Sequence, residues 1–225
     1  MTSNFIFLYG IIDNLTKRAV ESFDYFDYDG CYLLYKEVTG KDYSLDLNNL
    51  QQYDQALKEL MEGVTLLPFS FGTVVKSKEK IDQFIRANDQ EITELLQEYQ
   101  GKFEMGLKIF TMDEKLVGSA KPRRSCSSSG KEYMMKLYQK HQESEERKEL
   151  VEAKLVPIIK LLEEESYQVE FEISTGKRLI FDGAYLINKR EVGSIQEQLA
   201  DLNLEEERLI YQSSGPWPPY SFVEF

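Results

Sequence analysis

One histidine, two cysteines and one tryptophan in 225 residues leave few of the side chains that usually carry chemistry. His141 stands among Lys140, Gln142 and Glu143, the setting of a solvated surface residue. A lone imidazole and two thiols as far apart as Cys31 and Cys126 cannot complete a zinc shell without carboxylates from elsewhere. Glycine-rich phosphate cradles are missing: neither G-x-x-x-x-G-K-[ST] nor G-x-G-x-x-G occurs, and GTVVKSKE lacks the glycines such a loop needs. Calcium-loop spacing is absent as well. The opening MTSNFIFLYGIIDN has no basic leader, and its apolar run has the length of a strand, too short to span a bilayer. With no secretory signal, the two cysteines are expected as free thiols of a cytoplasmic protein. Positive charge is also short. The 27 basic residues face 39 acidic ones, a net charge of −12, which argues against binding a nucleic-acid backbone. An acidic chain can still meet a basic or apolar partner, and its charge keeps such a complex dispersed.

Core-forming material is plentiful: 42% of the residues are hydrophobic and 12% aromatic, enough for one large domain or two small ones. FIFLYGII (5–12) is a continuous apolar run and reads as a buried strand; CYLLYKEV (31–38) reads as a second. Residues 13–30 between them, ending in FDYFDYDG, look irregular. LNNLQQYDQALKELMEG places Leu50, Tyr53, Leu57, Leu60 and Met61 on one helical face. VTLLPFSFGTVV follows as a strand broken by Pro68, which must lie at a sheet edge or a bulge because proline cannot donate to a ladder. Ser77 is placed to cap a helix whose stripe is Ile81, Phe84, Ile85, Ile92, Leu95, Leu96 and Tyr99. KFEMGLKIF alternates, turning Phe103, Met105, Leu107 and Ile109 inward.

From 111 to 130 the pattern dissolves into the basic, serine-rich KPRRSCSSSG, expected as a flexible loop. A charged helix of more than thirty residues follows, with Pro157 expected to kink or split it near Lys154. Then come the strands YQVEFEIS and KRLIFDGAYLIN, a helix over 191–202, the strand RLIYQSSG and a last strand in the tail. Strands and helices mix without strict βαβ alternation. The expected class is α+β, as two small ferredoxin-like domains with mixed or antiparallel sheets: 1–110, the loop 111–130, and 131–225 ending in the tail.

Acidic runs at Glu163–Glu165 and Glu205–Glu207 read as solvated helix ends rather than acid–base pairs. The cluster Lys121–Arg124 has the charge for a phosphate or an acidic partner, but its serine-rich setting favours a tether. By its own residues the chain reads as a binding or assembly protein, not an enzyme.

Three segments and the terminus together resemble one family, the gas vesicle proteins GvpF and GvpL. They are VTLLPFSFGTVVKS, with Pro68, Phe71, Gly72 and Thr73; GKFEMGLKIF, with Gly101, Glu104, Gly106 and Lys108; and the opening stretch with LYGII. The ending SGPWPPYSFVEF supplies Gly215, Pro216, Trp217, Pro218, Pro219, Tyr220 and Phe222, and YLIN (185–188) also matches. The resemblance covers nearly the whole chain in order. It departs at FDYFDYD and at Tyr53, where many members carry a histidine, and the length leans to the F type. It implies an accessory or minor structural protein of gas vesicle assembly, located at the gas vesicle, without cofactor or metal. Its implied partner is the small hydrophobic shell protein GvpA, whose aggregation it would limit and whose nucleation it would assist, with other gas vesicle accessory proteins as further partners. The rival readings are a small-molecule-binding ferredoxin-like protein and a general interaction adapter. For the tail the expectation is a turn at Gly215–Pro216, Trp217 packed at the corner and SFVEF leaving as a strand, in a role that is either structural closure or partner binding.

Overall fold

The computed structural model describes residues 4–39, 44–118, 130–223 and 225. The chain folds into two compact units, one made of Met1–Glu104 with Pro216–Phe225 and the other of Met105–Gly215. The expected division put the break between 110 and 131 and the tail with the second half. The structure returns the last ten residues to the first unit, because the tail's aromatic side chains find their partners there.

In the first unit β1 (Asn4–Ile12) is central, which is why its sequence is apolar without interruption: neighbouring residues point to opposite faces, and Ile6, Phe7, Leu8, Ile11 and Ile12 are all buried. After α1 (Lys17–Ser22), N-capped by Thr16, comes β2 (Asp24–Tyr28), paired antiparallel with β3 (Cys31–Thr39). The stretch expected to be irregular therefore holds a short helix and an edge strand. Asp29 and Gly30 make the tight two-residue hairpin turn, both at positive φ (42° and 97°), as an Asp-Gly turn of this kind requires. β3 pairs antiparallel with β1, with a register shift between Leu8 and Gly10. At Gly10 a Cβ would lie 2.8 Å from the Leu67 carbonyl oxygen, so the position has room only for glycine.

The helix α2 (Leu47–Leu60) is capped by Asp46, whose carboxylate accepts the Asn49 N–H at 2.9 Å. Next, β4 (Leu66–Pro68) and β5 (Val74–Val75) both pair antiparallel with β1. α3 (Lys78–Glu98) buries Ile81, Ile85, Ile92 and Leu96 and packs against β4 and β5. The strand order is β2-β3-β1-β4, with β5 also on β1. Read along the chain, this is a split β-α-β, ferredoxin-like arrangement.

The second unit repeats that plan. β6 (Lys102–Thr111) carries the chain across the division and is followed by α4 (Gly130–Glu165), β7 (Gln168–Ile173), β8 (Leu179–Asn188), α5 (Val192–Asp201) and β9 (Leu209–Trp217). Its sheet order is β7-β8-β6-β9, the same permutation as in the first unit, and β7 and β8 pair antiparallel from Gln168↔Leu186 to Ile173↔Phe181. The α+β class with two sheets stands.

Three expectations change here. The beginning of the supposed loop is ordered: Leu116 is buried, and the Gly118 N–H donates to the Gly176 carbonyl at 2.9 Å. The KPRR cluster and Cys126 lie outside the described residues. α4 runs unbroken through Pro157 over 36 residues, because its apolar residues on either side, Leu155, Ile158 and Leu162, are fully anchored in the core. Lastly, the strand does not stop at Gly215. β9 runs to Trp217, and the residues after it form turns rather than a final strand.

Candidate functional site

The residues expected from the resemblance to form the site fall in two places. In the first unit, Pro68 ends β4 on the sheet edge, and the chain from Phe69 to Thr73 bulges out opposite Leu8 and Tyr9. Phe69 N–H donates to Tyr9 O and Leu8 N–H to Thr73 O, both at 3.0 Å, so the ladder closes on either side of the bulge. Within it the Thr73 N–H and hydroxyl both donate to the Ser70 carbonyl, at 3.1 and 2.7 Å, and Gly72 adopts φ 97°, a conformation that glycine takes freely. Phe71 is thereby aimed at the core, its ring 5.4 Å from Tyr53 and 5.8 Å from Phe7. Tyr53 projects from α2 and its hydroxyl faces the carbonyls of Tyr9 (3.0 Å) and Phe69, tying helix, central strand and bulge together. Burial pushes its pKa well up, so it stays a neutral donor.

The tail completes the same unit. Pro218 and Pro219 are buried, and the Tyr220 and Phe222 N–H groups donate back to the Pro218 and Pro219 carbonyls at 2.7 and 3.2 Å, folding the chain tightly. Glu104 receives this turn. Its carboxylate accepts the Ser221 N–H at 2.7 Å and the Ser221 hydroxyl at 2.9 Å. Burial raises the Glu104 pKa, with the Ser221 hydrogen bonds opposing. The Tyr99 hydroxyl donates to Phe222 O at 3.0 Å, Val223 is buried, and Phe225 sits 5.5 Å from both Phe69 and Phe84. Tyr220 packs on the cluster of Phe7, Tyr53 and Leu57, and burial, then the charges of Asp54 and Glu104, push its pKa up. Trp217 is only half-buried. Lys58 Nζ lies 3.4 Å from its ring centroid and also pairs with Asp54 at 3.1 Å.

The structure thus joins Phe71, Glu104 and the tail, three fragments far apart in sequence, around one aromatic cluster. It leaves Gly106, Lys108 and Gly215 elsewhere, in the second unit. A Cβ at Gly106 would stand 2.6 Å from Ser214 Oγ, and Lys108 pairs with Asp182 on a solvated face. Tyr53, Tyr99, Lys58 and Ser221 take part without having been singled out as motif residues. The helical stripe marked both tyrosines as inward-facing, but their hydroxyl partners are tertiary and leave no trace in local pattern.

In the cluster around Phe71, Glu104 and the tail, the contacts are packing and hydrogen bonds. Among the described residues no three His, Cys, Asp or Glu side chains are grouped to hold a metal, and no helix is long and apolar enough to cross a membrane. The thiol of Cys31 is buried and pushed up to about 11, first by burial and then by the charges of Asp89, Asp27 and Asp29, which makes it a poor nucleophile. His141 is exposed on α4.

Comparison with known proteins extends over the same span. The family model for gas vesicle synthesis protein GvpL/GvpF matches residues 5–224. Gas vesicle protein F1 of Halobacterium salinarum is 25% identical over 234 residues, covering 100% of this chain and 94% of that protein. Gas vesicle protein F of Dolichospermum flosaquae is 32% identical over 118 residues, 47% of each chain. Crystal structures of GvpF from Anabaena sp. and from Microcystis aeruginosa superpose with TM-scores of 0.80 and 0.78, at 23% and 19% identity, covering 99% and 98% of this chain and 97% and 99% of theirs. A match to the family model along almost the entire chain, with the same fold, places this protein in the GvpL/GvpF family of gas vesicle synthesis proteins.

Proposed function

We propose that this chain acts in gas vesicle assembly by binding the hydrophobic shell protein GvpA, limiting its aggregation and helping its nucleation, as a binding protein and not as a catalyst. The family supports the assembly role. The observation that carries the binding is the outer strand of the second sheet. β7 lies at the end of the sheet order, so one of its edges has no strand beside it among the described residues. On that strand Val169, Phe171 and Ile173 alternate with Glu170 and Glu172, and Phe171 is 40% exposed. Its ring stacks on Phe181 with centroids 5.3 Å apart, over Gly183, its partner across the sheet, where a Cβ would meet the Phe181 ring at 2.7 Å. An open edge offers main-chain hydrogen bonds, a rigid exposed ring offers an apolar anchor, and the glutamates keep the strand from pairing with its own kind.

The test is co-purification of GvpA with the parent chain and with Phe171→Lys. The parent is expected to retain GvpA and the variant to lose most of it while keeping its thermal unfolding. In cells, removal of the gene should abolish vesicles. Normal vesicles in a deletion strain without a second F- or L-type gene would overturn the assembly role, and equal capture by Phe171→Lys would move the contact away from β7.

A further inference from the structure

We propose that two copies of this chain pair edge to edge through β9, antiparallel about a two-fold axis at Gln212. The inference does not depend on where the shell protein binds. β2 and β4 end the strand order of the first sheet, β7 and β9 that of the second. An exposed edge pairs with other strands unless something prevents it, and charge, shortness and proline are the usual means. β2 carries Asp24 and Asp27, β7 carries Glu170 and Glu172, and β4 is three residues long and ends in Pro68. β9 has none of these before Pro216. The chain from Leu209 to Val223 holds no charged residue, although 29% of the whole is charged. Ile210 is 51% and Tyr211 36% exposed, Gln212 and Ser214 are exposed as well, and Ser213 is half-buried. In the sheet order β9 is the strand farthest from the hairpin of β7 and β8, where Gly118 is held against Gly176 and residues 119–129 begin.

Two contacts give the direction of its main chain. The Met112 N–H donates to the Arg208 carbonyl at 2.8 Å, and a Cβ on Gly106 would stand 2.6 Å from Ser214 Oγ. From Met112 back to Gly106 is as many residues as from Arg208 on to Ser214, so β6 and β9 run antiparallel with no bulge between those points. The Arg208 carbonyl faces β6, and at every second residue so do the main-chain groups of Ile210, Gln212 and Ser214. Those of Tyr211 and Ser213 face away from the sheet, and no main-chain partner meets them among the described residues. Leu209 gives its N–H to the Leu204 carbonyl at 2.8 Å, which closes the edge at one end, and Gly215 at φ 120° turns the chain at the other. The open stretch is therefore 210–214, and Gln212 is its midpoint.

A second β9 fits this stretch. Laid antiparallel with Gln212 facing Gln212, Tyr211 of each copy exchanges both main-chain hydrogen bonds with Ser213 of the other. On the axis one glutamine amide faces its twin, donor to acceptor in both directions. No like charges meet along the strands. The acidic turns Glu205–Glu207 of the two copies lie at opposite ends of the pair, roughly 30 Å apart, beyond the reach of screened charge, whereas a parallel partner would set them side by side. Pairing about a two-fold axis merges the two second sheets and leaves the β7 edges at the outer ends, so the dimer presents that edge twice.

The test is sedimentation velocity of the full chain up to millimolar concentration, at low and high salt. The mass should rise with concentration and stop at a dimer. Each chain carries a net charge of −12 while the paired strands carry none, so high salt should favour the dimer by screening the repulsion. Gln212→Lys and Gln212→Glu each set like charges face to face on the axis and should weaken association about fivefold or more. An equimolar mixture of the two should associate more tightly than either alone. In a Cys126→Ser background, Gln212→Cys should crosslink to its twin on oxidation, since facing residues of this kind bring their Cα atoms to about 4.5 Å. Ile210→Cys should not, because its twin lies roughly 13 Å away along the strands. Circular dichroism melts confirm that each variant is folded. A parent that stays monomeric, a mass beyond the dimer, charge variants that associate like the parent, a mixture that gains nothing, or equal crosslinking at 210 and 212 would each overturn the proposal. So would a monomeric chain that loses its capture of GvpA on Gln212→Lys; the edge would then belong to the shell protein.

Discussion

The two units share one strand order and fill it differently. In the first, the helix between the first two strands, α1, has six residues; its counterpart in the second, α4, has 36. A six-residue helix cannot cover a sheet. The first unit compensates with α3, which lies outside the repeated plan, and with the tail, and its central strand is buried on alternate residues to both sides. The central strand of the second unit, β6, has a mixed pattern: Leu107 and Ile109 are buried while Lys108 between them is exposed. The same topology is therefore stabilised in one unit by a sheet enclosed between layers, and in the other by a sheet that keeps a solvated face at Lys108 and Asp182.

The comparison breaks first at α3. If that helix is a true second layer, Ile85→Ala should cost about 2–5 kcal/mol, as much as Leu57→Ala on α2, since both side chains are fully buried. Urea unfolding of the two variants decides it. A loss below about 1 kcal/mol for Ile85→Ala, the range of surface substitutions, would make α3 an appendage.

Next is the clasp that binds the tail to the first unit. Glu104→Ala leaves the Ser221 N–H and hydroxyl without their acceptor and should cost about 1–3 kcal/mol. The pH dependence follows from the raised pKa of Glu104. A group whose folded-state pKa lies above its unfolded value of about 4.3 stabilises fully below that value, and the contribution is lost as pH rises through the folded pKa. Glu104→Gln does not ionise and escapes the loss. Its stability relative to the parent should therefore improve as pH climbs from about 4, measured by denaturant unfolding at a series of pH values. A difference that runs the other way would mean the Ser221 hydrogen bonds outweigh burial.

A smaller effect is expected at Trp217. A tryptophan packed into the corner would cost about 3–5 kcal/mol on truncation to alanine. The structure leaves this ring partly exposed under the Lys58 ammonium rather than enclosed, so Trp217→Ala should cost less than a core truncation, roughly 1–2 kcal/mol. Thermal unfolding of the variant beside Lys58→Met checks it, with similar losses expected for both. A loss of core size at Trp217 would show that the ring is enclosed more tightly than the structure has it.

What was legible in the sequence follows the same division. FIFLYGII and KFEMGLKIF differ visibly, one apolar throughout and the other alternating, and this is the difference between a doubly covered strand and a half-covered one. The longer helices were legible from their stripes, while the six-residue α1, with Ala19 its buried residue, was too short to show one; the edge position and bulge at Pro68 were legible from the missing N–H. β2 was not, because an exposed edge strand of aspartates and aromatics lacks a buried face to mark it; only Asp29-Gly30 announced the hairpin. The tail's motif could be read but not its path. Its turns depend on Glu104 and Tyr99, more than a hundred residues away along the chain. For the same reason the grouping of Glu104 with Phe71 and Tyr220 could not be deduced from spacing.

The smallest effect tests the solvated face itself. Lys108 and Asp182 pair across β6 and β8 with side chains 45% and 46% exposed. Exposed pairs of this kind are worth about 0–1 kcal/mol, because water screens the attraction and two long side chains must be held still to make it. A double-mutant cycle with Lys108→Ala and Asp182→Ala should return a coupling energy within that range, shrinking further in high salt. Such a result would also say something about the motif. Lys108, like Glu104, is one of the residues on which the resemblance was drawn, but Glu104 holds the tail in place while Lys108 makes only an exposed pair with Asp182. A residue that matters little to stability and faces solvent on a sheet is available to a partner. If Lys108→Ala unfolds normally yet impairs vesicle formation, the face it occupies is used for binding. A coupling well above 1 kcal/mol would instead mean that this face is covered, and the contrast between the two units would disappear.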